Sequence, residues 1–238
     1  MRLRAIAAAL TALFLLTIPA SSSAQRARPR AAVAQRDWSL IAVRTPEGGF
    51  RVGNPAAPVK LVEYLSLTCP HCAEFAHQGS TRLLQDYVRR GGVSVEYRNY
   101  VLNAYDLAAA FLSRCAQPRA YFDMSHELLL TQAQWMGRMQ SMTDAQRNEL
   151  RSLSPLLAMQ RIVALLGLQA VAARHGISPA QQNVCLANQA GLDQIGQVHE
   201  AAERLGVTGT PTFFINGNKL DVSAWPGVEA RIRGAMGG

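Results

Sequence analysis

The spacing of apolar residues changes several times along the chain, and each change marks an element. Residues 39–52, with Pro46 and the Gly48-Gly49 pair between apolar ends, predict a short hairpin or strand. A turn over residues 54–58 leads into a nearly continuous apolar run, residues 59–65, which reads as a buried strand. Lys60 near its start and Glu63 in its interior are the interruptions. After a short loop a helical pattern continues to about Arg90 and stops at Gly91-Gly92, and residues 93–101 alternate as a second strand. Strand, loop, helix and strand make a parallel unit, in which the loop at the carboxyl end of the first strand is where chemistry is placed.

From residue 104 to about 205 strand character nearly vanishes, and Ala, Leu, Gln and Met recur at helical spacing. Pro118, Pro155 and Pro179 each stand where a helix could begin, while Gly137, Gly167 and Gly176 loosen or end segments. Strand character returns over residues 207–220. Segments 212–216 and 219–222 flank Asn216-Gly217-Asn218, a strong hairpin signal, and a helix around residues 228–232 closes the chain. The expected architecture is α/β: residues 39–103 and 206–238 form one sheet-containing domain, and residues 104–205 are a large helical insertion between its strand-helix-strand half and its hairpin-helix half. No internal repeat is visible.

The N-terminus bears on the compartment. Arg2 and Arg4 precede an apolar run over residues 5–18, followed by Pro19 and small residues 20–24, the layout of a signal peptide cleaved after Ala24. An uncleaved anchor is the alternative, although 14 apolar residues fall short of the roughly 20 needed to cross a bilayer. Removing residues 1–24 lowers the formal charge from +8 to +6 and leaves 214 residues, enough for one domain with a sizeable core. Much of the positive surplus lies in residues 25–38, where Arg26, Arg28, Arg30 and Arg36 face only Asp37 in a setting without apolar period, the composition of a disordered basic leader. Basic residues are not interleaved with aromatics on any structured face, which argues against a nucleic-acid partner.

In an oxidising compartment Cys69-Pro70-His71-Cys72 reads as a redox pair. The thiolate is the attacking species, so a working cysteine needs its pKa lowered. Cys69 falls where strand gives way to helix, Pro70 fits a first turn that needs no N–H, and His71 can present an imidazolium or a ring N–H. Cys72, one turn on, would face inward as the resolving thiol. No cofactor is expected beyond the Cys69–Cys72 disulfide.

Several features together resemble the periplasmic DsbA family of the thioredoxin superfamily over about residues 50–234: the strand segment Val62-Glu63-Tyr64, the Cys-Pro-His-Cys motif, the helical insertion, and Gly206-Val207-Thr208-Gly209-Thr210-Pro211-Thr212-Phe213. The resemblance implies a thioredoxin-like fold with Cys69 as nucleophile, Cys72 as resolving cysteine, His71 as tuning residue and Pro211 as a cis-proline facing the pair. It also implies a buried, proton-relaying acid at Glu63, for which the plainer reading is a solvent-facing residue beside Lys60 on an edge strand. A cis bond would expose the backbone of Thr210 for strand-like pairing with substrate; an ordinary trans-proline opening a strand is the alternative. Thr210 departs from the oxidase branch, which has a β-branched apolar residue there, and matches related isomerases and reductases.

Cys115 and Cys185, both in the insertion, are expected to pair as a structural disulfide closing a loop of about 70 residues, or else to remain two buried thiols. Met136, Met139 and Met142 suit helix core better than a peptide groove. His77, His126, His175 and His199 lack metal-site spacing, and Ala73 after the second cysteine excludes covalent haem. The expected activity is that of a periplasmic, monomeric dithiol oxidase acting on reduced, unfolded secreted proteins and, by the resemblance, reoxidised by a membrane partner of DsbB type. A reductase or isomerase of the same fold and a non-catalytic chaperone are the competing readings. Isomerases of the superfamily dimerise through an added N-terminal domain, for which the about 35 residues expected between the cleavage site and the first core strand leave little room.

Overall fold

A strand that is apolar almost throughout needs cover on both faces and a neighbour on each side. The computed structural model, which describes residues 36–237, supplies both to the run read above. Its strands are β1 (Ala42–Arg44), β2 (Phe50–Gly53), β3 (Val59–Leu65), β4 (Val93–Asn99), β5 (Thr212–Ile215) and β6 (Asn218–Lys219). They form one sheet in the order β1-β2-β4-β3-β5-β6, with β3 parallel to β4 and the other neighbours antiparallel. Side chains alternate between the faces. Leu61, Glu63 and Leu65 therefore share one face of β3, and Lys60, Val62 and Tyr64 the other.

The first face carries the main core, in which Leu61, Val95, Phe213 and Ile215 meet Phe75, Val228 and Ile232. The last three belong to α1 (Pro70–Phe75) and α10 (Trp225–Ala235). On the second face Tyr64 and Phe214 pack with Tyr100, Ala202 and Val207. Between the two halves of the sheet the insertion runs as eight helices: α2 (Ala104–Arg114), α3 (Pro118–Leu130), α4 (Gln132–Gln140), α5 (Asp144–Ser152), α6 (Pro155–Leu165), α7 (Leu168–Arg174), α8 (Pro179–Leu186) and α9 (Gln189–Arg204). Pro118, Pro155 and Pro179 open α3, α6 and α8, where a missing N–H costs nothing. Cys115, at the end of α2, is bonded to Cys185 of α8 (S–S 1.97 Å), tying the insertion together across 70 residues of sequence. Met136 and Met139 pack half-buried against the core and Met142 is buried.

Several boundaries move from their sequence-based positions. The second strand stops at Asn99 rather than residue 101, and the last hairpin's return strand is only Asn218–Lys219 rather than residues 219–222. Asn216 (φ 50°) and Gly217 (φ 85°) are both left-handed, as a two-residue hairpin turn requires, and the turn draws Asn218 directly into pairing. The helix after the motif is not α-helical to Arg90; it widens into π turns over Ala76–Ser80 and Leu83–Val88. The last residues assigned to the basic leader, Arg36 to Trp38, join the folded body: Asp37 caps a 3-10 turn over Trp38–Leu40 and pairs with Arg89 at 3.0 Å. The signal peptide and residues 25–35 lie outside the described residues. Among the described residues no single helix is long and apolar enough to cross a membrane.

One close approach fixes α10 against the widened helix. The buried indole of Trp225 lies against the backbone of Gly79, where an added methyl would stand 2.2 Å from ring atom Cδ2. Gly79→Ala should therefore destabilise the protein by about 1–3 kcal/mol, the usual cost of overpacking a core. Urea unfolding at neutral pH measures it, and an unchanged midpoint would show that Trp225 yields freely.

Candidate active site

The site forms where β3 ends. Residues 66–69 turn the chain into α1, and Cys69 occupies the N-cap with extended backbone (φ −81°, ψ 122°) and no side-chain hydrogen bond to the helix. Pro70 takes the first helical position, leaving the N–H groups of His71 and Cys72 directed at the Cys69 sulfur. Cys69 is 4% exposed and Cys72 fully buried, and both are free thiols. Across from them the Thr210–Pro211 peptide bond is cis, and the Thr210 carbonyl accepts a hydrogen bond from Cys69 Sγ at 3.1 Å. The buried Thr210 hydroxyl has no hydrogen-bond partner among the described atoms.

These contacts separate the two thiols. The Cys72 thiol stabilises the Cys69 thiolate most; Thr210 and the N–H groups of Cys72 and His71 add to it, and together they outweigh burial and bring the Cys69 pKa down to about 5. Burial pushes the Cys72 thiol well above its ordinary value, and the neighbouring Cys69 and Glu63 push it further. His71 is exposed, and its part in lowering the Cys69 pKa comes from its backbone N–H.

Glu63 lies beneath the pair at 1% exposure, one Oε atom having no partner. Its neighbours across the sheet are Tyr97 on β4 and Phe213 on β5, so no cation stands beside it in its row. The edge-strand alternative fails, because β3 is interior and Lys60 lies on the opposite face. Burial, reinforced by the Cys69 charge, raises the Glu63 pKa to about 8.

A second buried acid was not visible in the sequence. Asp106 of α2 is 1% exposed; its Oδ1 accepts the Leu67 N–H at 2.8 Å and its Oδ2 the Leu102 N–H at 3.0 Å. Burial raises its pKa to about 6, against the lowering effect of these bonds. Gln132 of α4 donates from Nε2 to the carbonyls of Leu67 (2.8 Å) and Cys69 (3.0 Å), and Asn103 donates to Thr68 Oγ1 at 3.0 Å. Asn103 and Asp106 read in sequence as an ordinary cap and first-turn acid. Only tertiary packing shows that they face the motif. Cys115 and Cys185 join each other within the insertion and do not take part in this site. Of the histidines outside the motif, His175 contacts Glu127 and His199 stacks on Tyr100.

Fold and site together define a dithiol protein of thioredoxin type. A thioredoxin family model matches residues 45–232, and the chain belongs to that family. It is 27% identical over 179 residues to a Rickettsia conorii protein provisionally named a protein-disulfide oxidoreductase, an alignment covering 74% of this chain and 56% of that one. The chain thus spans about half the length of the curated relatives it matches. Among solved structures it resembles a protein-disulfide isomerase from Novosphingobium aromaticivorans (TM-score 0.73, 29% identity, covering 79% of this chain and 97% of that one). It also resembles alpha-DsbA1 of Wolbachia pipientis (TM-score 0.60, 26% identity, covering 81% and 92%).

The Glu63 carboxyl supplies a pH test. Its pKa is raised in the fold from 4.5 to about 8, so between those values the folded state holds a proton that the unfolded state has released. Its contribution to stability is complete below 4.5 and is lost as pH rises through about 8. Glu63→Gln, uncharged at every pH, should therefore stabilise the reduced protein progressively above pH 4.5. Thermal melts across that range check this; parallel curves for the two proteins would refute a buried, late-titrating carboxyl.

Proposed function

We propose that the chain is a protein-disulfide oxidoreductase working as a dithiol oxidase on reduced, unfolded proteins. The observation that carries this reading is the unequal pair: a Cys69 thiolate stabilised to a pKa of about 5 beside a buried Cys72 pushed in the opposite direction. A substrate thiolate attacks Cys69 Sγ of the Cys69–Cys72 disulfide, forming a mixed disulfide and releasing Cys72 as a thiolate. Glu63, protonated at neutral pH by virtue of its raised pKa, is placed to give Cys72 a proton. A second substrate thiolate then attacks the substrate sulfur of the mixed disulfide and expels Cys69. The substrate leaves with a disulfide, and the protein keeps the two electrons as a dithiol. Stabilising the leaving thiolate favours expulsion and makes the disulfide form the stronger oxidant. The half-buried Thr210 beside cis-Pro211 suits strand-like backbone pairing with the substrate segment next to Cys69.

The signal-peptide layout and the DsbA resemblance support a periplasmic site of action, a monomer, and a membrane reoxidant of DsbB type. Thr210 supports a second reading, since a polar residue before the proline is the feature shared with reductases and isomerases. Equilibration with glutathione buffers separates the two: a potential near that of DsbA, roughly −120 mV, supports the oxidase, whereas one near that of thioredoxin, roughly −270 mV, replaces it by a reductase. Cys69→Ser should abolish disulfide transfer to a reduced model protein. Activity surviving that change would point instead to a chaperone that needs no redox chemistry.

A further inference from the structure

The residues that hold the catalytic turn come from the helical insertion. Residues 66–69 have few regular backbone partners: the Cys69 N–H reaches the Ser66 carbonyl at 3.3 Å, the Cys69 carbonyl accepts the Ala73 N–H at 3.1 Å, and the Thr68 N–H reaches Ser66 Oγ at 3.1 Å. The Leu67 N–H goes to Asp106, and the Leu67 and Cys69 carbonyls go to Gln132. Asp106 and Gln132 thus hold both backbone polar groups of Leu67 and the carbonyl of Cys69, and both are buried, Asp106 at 1% and Gln132 at 9% exposure. Asp106 is itself fixed by the Leu102 N–H, and Trp135 anchors α4 through its indole N–H to the Leu128 carbonyl at 2.8 Å.

We propose that Asp106 and Gln132 are positioning residues for the reaction: as a two-sided clamp they hold the turn so that the Cys69 sulfur stands at the helix start, against Thr210 and the Cys72 thiol. A displacement of about 1 Å at a reacting atom can cost on the order of a hundredfold in rate, so a turn held by side chains from another element is a sensitive point. The contacts are side chain to backbone, so the clamp is indifferent to the sequence at positions 67 to 69. The inference requires Cys69 to be the nucleophile and holds for either direction of electron flow, so a potential that overturns the oxidase reading leaves it standing.

Asp106→Asn and Asp106→Ala remove the same negative charge, but only Asn keeps an oxygen able to accept the Leu67 N–H. Gln132→Leu keeps the bulk and removes the donor. Each reduced variant is assayed by thermal melting, by the pH titration of thiolate ultraviolet absorbance, and by the second-order rate of reaction with a small disulfide. We expect Asp106→Ala to react at least roughly tenfold more slowly than Asp106→Asn, the gap expected from lost positioning rather than lost charge. We expect Gln132→Leu to move the Cys69 titration upward from about 5 while the variant remains folded. Equal rates for the two Asp106 variants, or a wild-type titration curve in Gln132→Leu, would overturn the clamp; a change confined to melting temperature would count against it in the same way.

Discussion

The order in which negative charge enters a buried polar site is the constraint on which the rest of this structure depends. Asp106 and Glu63 both lie within reach of the Cys69 charge, and the pKa values of Cys69, Asp106 and Glu63 are about 5, about 6 and about 8. Burial opposes charge on all of them. Only Cys69 has its anion stabilised enough by donors to drop below its ordinary range, receiving the Cys72 thiol, Thr210 and two backbone N–H groups. Asp106 also receives donors, yet burial prevails there; Glu63 has one oxygen without any. As pH rises, charge therefore goes to the sulfur well before it goes to Glu63. That ordering needs a helix start aimed at Cys69, a dry strand beneath it and no cation beside Glu63.

The architecture meets each need by ordinary means. An interior parallel strand is dry because it is covered twice, and it delivers residues 66–69 to the start of α1. Pro70 leaves the later N–H groups of the first turn free for the sulfur. The second half of the sheet returns through β5 beside β3, which brings Thr210 within 3.1 Å of Cys69 across 141 residues of sequence. The insertion between those halves covers the motif with α2 and α4, and its own disulfide joins α2 to α8. It is part of the site as well as its cover, since Asp106 and Gln132 bond to the catalytic turn, as does Asn103 just ahead of the insertion.

What could be read in the sequence was whatever is local or periodic. The apolar run of β3, the proline starts of α3, α6 and α8, and the Asn216-Gly217 turn are each encoded within a few residues, and they stand where the pattern placed them. Cys69 and Cys72 followed from a motif, whereas the apolar run around Glu63 left its burial open and the family resemblance implied it. Strand ends at Asn99 and Lys219 depend on where a neighbour stops, which no local pattern records. The π turns after α1 lie where Trp225 packs on Gly79, a contact 146 residues distant in sequence. Asp106 carried no signal because a first-turn aspartate is among the commonest features of an exposed helix. Its burial follows from the docking of α2, which local sequence does not encode.

Thr210 draws these points together. Its carbonyl accepts from the Cys69 thiol, so that contact favours the protonated sulfur; its hydroxyl, which has no partner while the sulfur is protonated, lowers the Cys69 pKa and so favours the thiolate. One residue thus stabilises both protonation states of the same sulfur through different atoms, and the balance between them bears on the stability of the dithiol relative to the disulfide. The direction of electron flow is such a difference, and the motif does not fix it alone. Changing the Thr210 side chain alters the effect of its hydroxyl and leaves its carbonyl, whereas loosening the turn on the opposite side moves the sulfur away from both. The residue before the proline can therefore bear on the potential while the reaction geometry is kept, provided that residues 66–69 are held in place by something other than Thr210, and in this fold Asn103, Asp106 and Gln132 all reach them from the other side.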